Sequence, residues 1–172
     1  VVAAERDGLV AEGFTLGNSP ESFTPEIVNG KTVVLTTTNG TYMLNQCLTA
    51  DKIVTGAFTN ISALCNWLIE WNQPVVLACA GWKNKFNLED TVFAGAVLHT
   101  IKDHFDLESD SCVAALNLFL TASQNLEGYM RHSNHAQRFE RLGIDDLPIC
   151  LKTDVTDIVP IYSNGVLVPL RP

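Results

Sequence analysis

The chain has 172 residues, 47% of them hydrophobic and 17% charged, so it can bury an ordinary core and is not expected to contain long disordered stretches. The formal net charge of −8 argues against nucleic acid as a partner, because phosphate backbones attract basic surfaces. No apolar run approaches the roughly 20 residues that span a bilayer, and the first residues lack the features of a signal peptide, so no membrane partner is expected.

A helix, a strand and a second helix are predicted in the first third of the chain. Thr24 followed by Pro25 is typical of a helix start, with a hydroxyl cap and a proline at the first helical position. The β-branched run 32–36 predicts a buried strand. The polar segment 37–41 leads from this strand into a helical pattern.

The alternation of strand and helix continues through the middle of the chain. Residues 52–55 predict a second strand, and Asn60 is expected to cap the helix that follows. The most apolar run, 74–79, predicts a third strand at the centre of the sheet. Asn87 and Asp90 have the spacing of a capping box at the start of a long helix. The buried stripe of that helix is expected to contain Val92, Phe93, Ala96, Val97 and Ile101.

Helices over about 109–123 and 126–142 are predicted in the last third of the chain. Two apolar runs, 158–162 and 166–168, flank an Asn-Gly turn, which is a hairpin signature. Strands that alternate with helices predict an α/β fold of three layers, α/β/α, with a largely parallel or mixed sheet and a C-terminal β-hairpin. We interpret residues 1–172 as a single α/β domain.

The loop after the first predicted strand collects groups that suit an anion. Residues 36–41 combine hydroxyls, an amide and a flexible glycine at the carboxyl end of a strand, where ligands bind in such sheets. The start of the next helix adds free backbone N–H groups. A polar strand-to-helix turn explains the same residues equally well, so residue chemistry alone leaves both interpretations open.

A second polar loop, 81–90, is predicted at the same edge of the sheet. Lys83 and Lys85 can receive a phosphate or a second acid group. The paired carboxylates Glu89 and Asp90 can hold Mg²⁺, which prefers oxygen ligands. The alternative is that acids in a first helical turn only interact with the helix dipole.

Other catalytic patterns are absent or weak. The chain has no Cys-x5-Arg, phosphate-binding P-loop or G-x-S-x-G motif, and its Asp-x-x-Asp has the wrong spacing for an aspartyl-phosphate phosphatase. His132 and His135 can share a helical face, but no further ligand pattern completes a zinc site. The five cysteines form no C-x-x-C pair, so we expect them to be reduced and the protein to be cytoplasmic.

Several segments together resemble the 2-phosphosulfolactate phosphatase family of coenzyme M biosynthesis. The strongest is 30–41, which reads Gly-Lys-Thr-Val-Val-Leu-Thr-Thr-Thr-Asn-Gly-Thr, followed by 79–83, Cys-Ala-Gly-Trp-Lys, and 88–91, Leu-Glu-Asp-Thr. The other matching segments are 5–8, 12–14, 17–20, 23–24, 93–96, 133–135 and 159–160. The resemblance therefore extends over nearly the whole chain.

The resemblance implies a phosphoric monoester hydrolase that uses Mg²⁺ to convert 2-phosphosulfolactate, or a similar acidic 2-phospho-hydroxy acid, into sulfolactate and phosphate. The substrate is then a small anionic phosphoester. The residues expected to bind it are Arg6, Thr37, Thr38, Asn39, Gly40, Thr41, Lys83 and Lys85. Glu89 and Asp90 are expected to be catalytic, and the expected metal ligands are Glu5, Glu89 and Asp90.

Two departures from the family pattern accompany the resemblance. The family's opening segment, a strand followed by an Asp-Val-Leu-Arg-Ala-Thr-like loop, has no counterpart here, so we interpret the chain as the larger, C-terminal part of a longer family member. After His135 the chain has Ala136-Gln137-Arg138, where the family tends to have glycine and two basic residues.

Two other functions remain open from the sequence. The first is a non-catalytic binding module for an acidic phosphorylated metabolite. The second is a different hydrolase or transferase that acts on a related substrate. The sequence also leaves the oligomeric state open, a homo-oligomer included.

Overall fold

A computed structural model describes residues 1–170. Within these residues the strands are β1 (Val2–Arg6), β2 (Leu9–Val10), β3 (Val34–Thr36), β4 (Val159–Ser163) and β5 (Val166–Leu170). The α-helices are α1 (Pro25–Val28), α2 (Gly40–Gln46), α3 (Ile61–Trp71), α4 (Leu88–Ile101), α5 (Asp110–Ala122), α6 (Leu126–Met130), α7 (Asn134–Arg141) and α8 (Leu147–Cys150). None of the described helices is long and apolar enough to cross a membrane.

Strand β1 lies in the middle of a small mixed sheet with the order β2-β1-β3. It pairs in parallel with β3, so that Ala4 lies opposite Thr36, and antiparallel with β2. The turn into β2 places Asp7 and Gly8 at φ 54° and 80°. The carboxyl ends of β1 and β3 therefore lie side by side, and the residues that follow each strand meet at one edge.

The C-terminal strands form the predicted hairpin. β4 and β5 pair antiparallel over five residue pairs, from Val159 opposite Leu170 to Ser163 opposite Val166. The turn residues Asn164 and Gly165 have φ values of 50° and 87°, and a turn with positive φ at both central residues favours Asn-Gly.

Two apolar clusters on the long helices make the core. The first joins α3 to α4 and β4, and the second joins α4 to α5 and α6. Buried members of the first are Leu64, Cys65, Leu68, Val97, Ile101 and Val159. Buried members of the second are Phe58, Val92, Ala96, Ala122 and Met130. The predicted stripe of α4 thus faces both clusters, and α4 is the central helix of the core.

The local signals for helix starts are confirmed in part. Thr24 is the N-cap of α1 with a proline in the first turn, but the predicted hydroxyl cap is wrong, because the Thr24 side chain makes no capping bond. Asn87 caps α4 by accepting from the N–H of Glu89 at 2.8 Å. The predicted capping box at α4 is wrong, because Asp90 accepts instead from the N–H of Gly81 at 2.6 Å. Asn60 precedes α3, but its side chain makes no capping bond to that helix.

The helix predicted over 109–123 is confirmed as α5, whereas the continuous helix predicted over 126–142 is wrong. The chain leaves the helix after α6, and α7 starts anew behind Ser133. The Ser133 hydroxyl accepts from the N–H of Ala136 at 3.0 Å, and this cap competes with continuation of the helix. The break re-aims α7 towards β1.

The α/β class is confirmed, but the strand predictions need correction. β3 is shorter than 32–36 and is not buried, since Val34 is 57% exposed. Residues 52–55 form only an isolated bridge, between Val54 and Ile161. Residues 74–79 alternate between half-buried and exposed side chains but pair with no strand of residues 1–170, and Val76 is 89% exposed. The predicted central strand is therefore wrong here because it lacks a partner, and the three-layer arrangement stays a prediction.

Candidate active site

A cavity of about 150 Å³ opens where β1 and β3 end. Its walls come from the β1–β2 turn, the loop between β3 and α2, the loop before α4, and helix α7. Its lining residues are Glu5, Asp7, Gly8, Asn18, Thr37, Thr38, Asn39, Gly40, Trp82, His135, Arg138 and Phe139. The cavity unites the two polar loops that the sequence places at one edge of the sheet.

Glu5 is a buried carboxylate in the wall of this cavity, with 8% of the residue exposed. The N–H of Gly8 donates to its Oε1 at 2.5 Å, and the N–H of Thr38 reaches its Oε2 at 3.5 Å. Each ionised carboxylate oxygen can accept two hydrogen bonds, so each keeps capacity for a further partner. A buried charge requires such partners, and here the backbone supplies them from two sides.

The loop between β3 and α2 forms the opposite wall. Thr37, Thr38, Asn39 and Gly40 line the cavity. Thr41 does not, because its hydroxyl donates to the Thr37 carbonyl at 2.7 Å and is used to hold the loop. The Asn39 Oδ1 accepts from the N–H of Lys83 at 3.2 Å, which ties this loop to the loop before α4 and leaves the amide nitrogen of Asn39 to donate.

The loop before α4 contributes Trp82 to the lining, and helix α7 contributes Arg138, while Lys83 lies next to the lining, beside Asp7. Asp7 lies between these cations. The Lys83 Nζ is 3.4 Å from the Asp7 Oδ1, and the Arg138 Nη2 is 3.8 Å from it. Arg138 also donates to the Asp7 backbone carbonyl. Both cations lie over the Trp82 ring, at 4.9 Å for Lys83 and 5.4 Å for Arg138.

Glu89 lies next to His135, outside the cavity lining. Burial raises the pKa of Glu89 above its ordinary value, while the neighbouring His135 and a hydrogen bond with Ser133 act in the opposite direction. The carboxylate of Asp90 is engaged with the Gly81 N–H. The two acids at the start of α4 thus support the loop and the histidine and do not face the cavity themselves.

None of the three predicted cations lines this cavity, although Lys83 lies beside it against Asp7. Arg6 is exposed and donates to the carbonyl of Glu5 at 2.6 Å. Lys85 lines a second, mainly apolar cavity of about 310 Å³ behind the loop. The remaining lining residues of that cavity are Met43, Cys79, Ala80, Gly81, Asn84, Phe86, Asn87 and Thr91.

Among residues 1–170, no group of three or more His, Cys, Asp or Glu side chains is placed to hold a metal ion. The three acids predicted to bind Mg²⁺ are divided between Glu5, in the cavity wall, and the pair at the start of α4. Mg²⁺ often uses only one or two protein carboxylates and completes its shell with water and substrate phosphate oxygens. Glu5, with free acceptor capacity in the cavity, fits that mode of binding.

Sequence reasoning gave no site role to several lining residues, above all Asp7, His135 and Arg138. Asp7 and Arg138 are 131 positions apart, and no local pattern connects them. Two features of the sequence could have pointed to these residues: the Asp-Gly pair at positions 7 and 8, and the arginines of the segment 131–141. The break at Ser133 is what turns that segment towards the cavity.

The chain matches the model of a family described as 2-phosphosulpholactate phosphatase over residues 1–165. It is 38% identical to a probable 2-phosphosulfolactate phosphatase of Caldanaerobacter subterraneus subsp. tengcongensis, with 97% of this chain and 70% of that protein covered. It is 37% identical to a protein of the same name from Nostoc punctiforme, with 96% and 71% covered. A third, from Thermotoga maritima, is 36% identical, with 98% and 73% covered.

Proposed function

The chain belongs to the 2-phosphosulpholactate phosphatase family, and from that premise we propose that it hydrolyses the phosphate ester of 2-phosphosulfolactate or a closely similar acidic 2-phospho-hydroxy acid. The observation that carries the proposal is a cavity lined by a polar loop, the buried carboxylate of Glu5 and the guanidinium of Arg138, with the ammonium of Lys83 beside it against Asp7. Such a site offers separate places for a phosphate and for a second acid group.

The phosphate is assigned to the loop that contains Thr37, Thr38 and Asn39. These residues line the cavity and supply hydroxyl and amide donors. Gly40 lets a ligand approach the backbone closely, because it has no side chain to project into the space. Fixed donors aimed at phosphoryl oxygens stabilise the charge that develops there, and phosphoryl transfer depends mainly on such positioning.

Mg²⁺ belongs to the proposal as an ion held by Glu5 together with water and the substrate phosphate. When bound, it would supply charge neutralisation at the phosphoryl oxygens. Glu89 is proposed to act through the charge of His135, which lies near it and lines the cavity. His135 can then exchange a proton with the attacking water or with the leaving alkoxide, so that the P–O ester bond breaks as the new P–O bond to water forms.

The second acid group of the substrate is assigned to the side of the cavity where Lys83 and Arg138 lie. A guanidinium and an ammonium together suit a sulfonate or a carboxylate. The formal charge of the chain is −8, which repels an anionic substrate, and these two cations provide a local attraction that offsets the repulsion. The five free cysteines accord with a reducing compartment, and we place the reaction in the cytoplasm.

The test is inorganic phosphate release from racemic 2-phosphosulfolactate and from 2-phospholactate, each with Mg²⁺ and with a chelator. We expect release that depends on Mg²⁺ and is faster with the sulfonate. Glu5→Gln keeps one acceptor, for the N–H of Gly8, but removes the charge and the second acceptor, and it should lower turnover by about 100-fold, the scale on which loss of one electrostatic contact is felt. Glu12→Gln, at an exposed position, is the matched control and should leave turnover unchanged.

A binding module is the second candidate. The observation that favours it is the division of the predicted acids between the cavity wall and α4, so that no cluster of three forms among residues 1–170. The same assay separates the two. A chain that releases no phosphate but melts at a higher temperature with either phosphoester is a binding protein, because a ligand that binds only the folded state stabilises it.

A further inference from the structure

Two cations converge on one carboxylate at the mouth of the cavity. The Asp7 Oδ1 lies 3.4 Å from the Lys83 Nζ and 3.8 Å from the Arg138 Nη2. One negative charge thus faces two positive charges, and the group retains a net positive charge. The Asp7 side chain is 69% exposed, whereas that of Arg138 is only 24% exposed. The carboxylate is therefore the more solvent-exposed member of the pair and the guanidinium the more buried one.

The cations are held by contacts that do not involve the Asp7 carboxylate. Arg138 donates to the backbone carbonyl of Asp7, and both cations lie over the Trp82 ring. The backbone of Lys83 is further fixed by its N–H, which donates to Asn39. Removal of the carboxylate from between them therefore leaves the two positive groups in place.

The contacts that the carboxylate makes are weak ones. Ion pairs at exposed positions contribute little, since water competes for both partners. The backbone of Asp7 has φ 54°, in the left-handed region, so its position is set by the turn between β1 and β2 and not by its ion pairs. A ligand acid group that reaches the same cations can displace this carboxylate at small cost.

We propose that Asp7 is an internal stand-in for the second acid group of the substrate: its carboxylate occupies the Lys83–Arg138 pair in the free protein and leaves when a sulfonate or carboxylate of the ligand takes that place. The inference rests on the proposed function for the identity of the ligand. It makes Asp7 a residue that sets specificity, because only ligands with an acid group at that distance from the phosphate displace it. Phosphoesters without such a group leave the carboxylate where it is.

The test compares Asp7→Asn with the unchanged chain. Asparagine tolerates the left-handed backbone, so the turn is kept and only the charge is lost. Binding of sulfolactate, which has no phosphate, is measured by calorimetry without turnover. We expect Asp7→Asn to bind it about three- to tenfold more tightly, the scale of one or two exposed ion pairs. Phosphoethanol, which has no second acid group, should bind equally to both proteins.

Asp145→Asn is the matched control, because Asp145 is another exposed carboxylate in an ion pair, 3.3 Å from the Arg131 Nη2 and outside the cavity lining. It should bind sulfolactate like the unchanged chain. Arg138→Ala should weaken sulfolactate binding while phosphoethanol binding is retained. Sulfolactate binding to Asp7→Asn that is unchanged or weaker, or a failure of all the proteins to bind it, overturns the proposal.

The outcomes separate this inference from the proposed function. Tighter sulfolactate binding by Asp7→Asn, in a chain that releases no phosphate, supports the proposed role of Asp7 and contradicts the proposed phosphatase function. Mg²⁺-dependent phosphate release, with no effect of Asp7→Asn on sulfolactate binding, supports the proposed phosphatase function and contradicts the proposed role of Asp7. A lower melting temperature together with unchanged binding shows that Asp7 serves only to tie β1 to α7.

Discussion

Gly95 lets helix α4 pack against the backbone of helix α5. A Cβ atom at this position would lie 2.0 Å from the Ala115 carbonyl oxygen and 2.7 Å from the Cβ of Phe119. An ordinary carbon–oxygen contact is about 3.3 Å. Gly95→Ala therefore forces the two helices apart by about 1 Å, and the obstacle is a backbone atom that cannot rotate away.

Helix propensity and core packing have opposite effects on the free energy of unfolding of Gly95→Ala. Alanine favours a helix interior over glycine by about 1 kcal/mol. Overpacking of a well-packed core costs about 1–3 kcal/mol, and contact with backbone places this substitution near the upper end. The expected net change is a loss of about 2 kcal/mol in the free energy of unfolding. For a chain of this size that corresponds to a melting temperature lower by about 4–8 °C.

Thermal unfolding followed by circular dichroism measures this change. Ala114→Gly, at an exposed position of α5, is the control, because it reports the alanine–glycine difference in a helix without the packing term. It should lower the melting temperature by about 2–4 °C. A Gly95→Ala protein that melts at or above the temperature of the unchanged chain would refute the argument, since propensity would then outweigh the contact with Ala115.

Two further predictions concern buried polar groups. Burial raises the pKa of Glu89 above 4.5, so its ionised form costs stability at neutral pH, and this cost disappears as the pH falls through the raised pKa to 4.5. Glu89→Gln should therefore raise the melting temperature at pH 8 but not at pH 4, and an equal gain at both pH values contradicts this. Asn60 is buried and joins the Ala57 N–H to the Ile158 carbonyl, both at 2.9 Å, so Asn60→Ala should cost about 2 kcal/mol in chemical unfolding. The exposed Asn45→Ala should cost under about 0.5 kcal/mol, and similar losses for both variants would count against the role of Asn60.

Features that depend on a few neighbouring residues could be predicted from the sequence. The proline after Thr24 marks the start of α1, and the Asn-Gly pair turns β4 into β5, because the fixed φ of proline and left-handed turns are local backbone properties. The break at Ser133 shows the limit of such patterns. A helical periodicity continues through it, but a hydroxyl cap restarts the helix in a new direction.

Residue spacing predicted the loop after β3, and the family resemblance added Glu5, but the α7 side of the candidate site was not predicted. The loop that contains Thr38 and Asn39 follows a strand, and such loops face the ligand edge of a sheet. The opposite side depends on how α7 docks on the turn after β1. A side chain at Gly8 would lie 2.5 Å from the Phe139 ring, so this glycine allows the close approach that brings Arg138 to the cavity. The contact between Gly8 and Phe139 joins residues far apart in the sequence, so it cannot be predicted from residue spacing.

The extended segment 74–79 has a consequence for how the protein behaves in concentrated solution. It is uncharged and rich in β-branched and aliphatic residues, it pairs with no strand among residues 1–170, and Val76 points into water. A free edge of this kind is a template on which another extended chain can add. Pro74 protects only its first position, since proline offers no N–H to a ladder. We expect self-association through this segment at high concentration, and Val76→Lys, at a side chain that is 89% exposed, should suppress it.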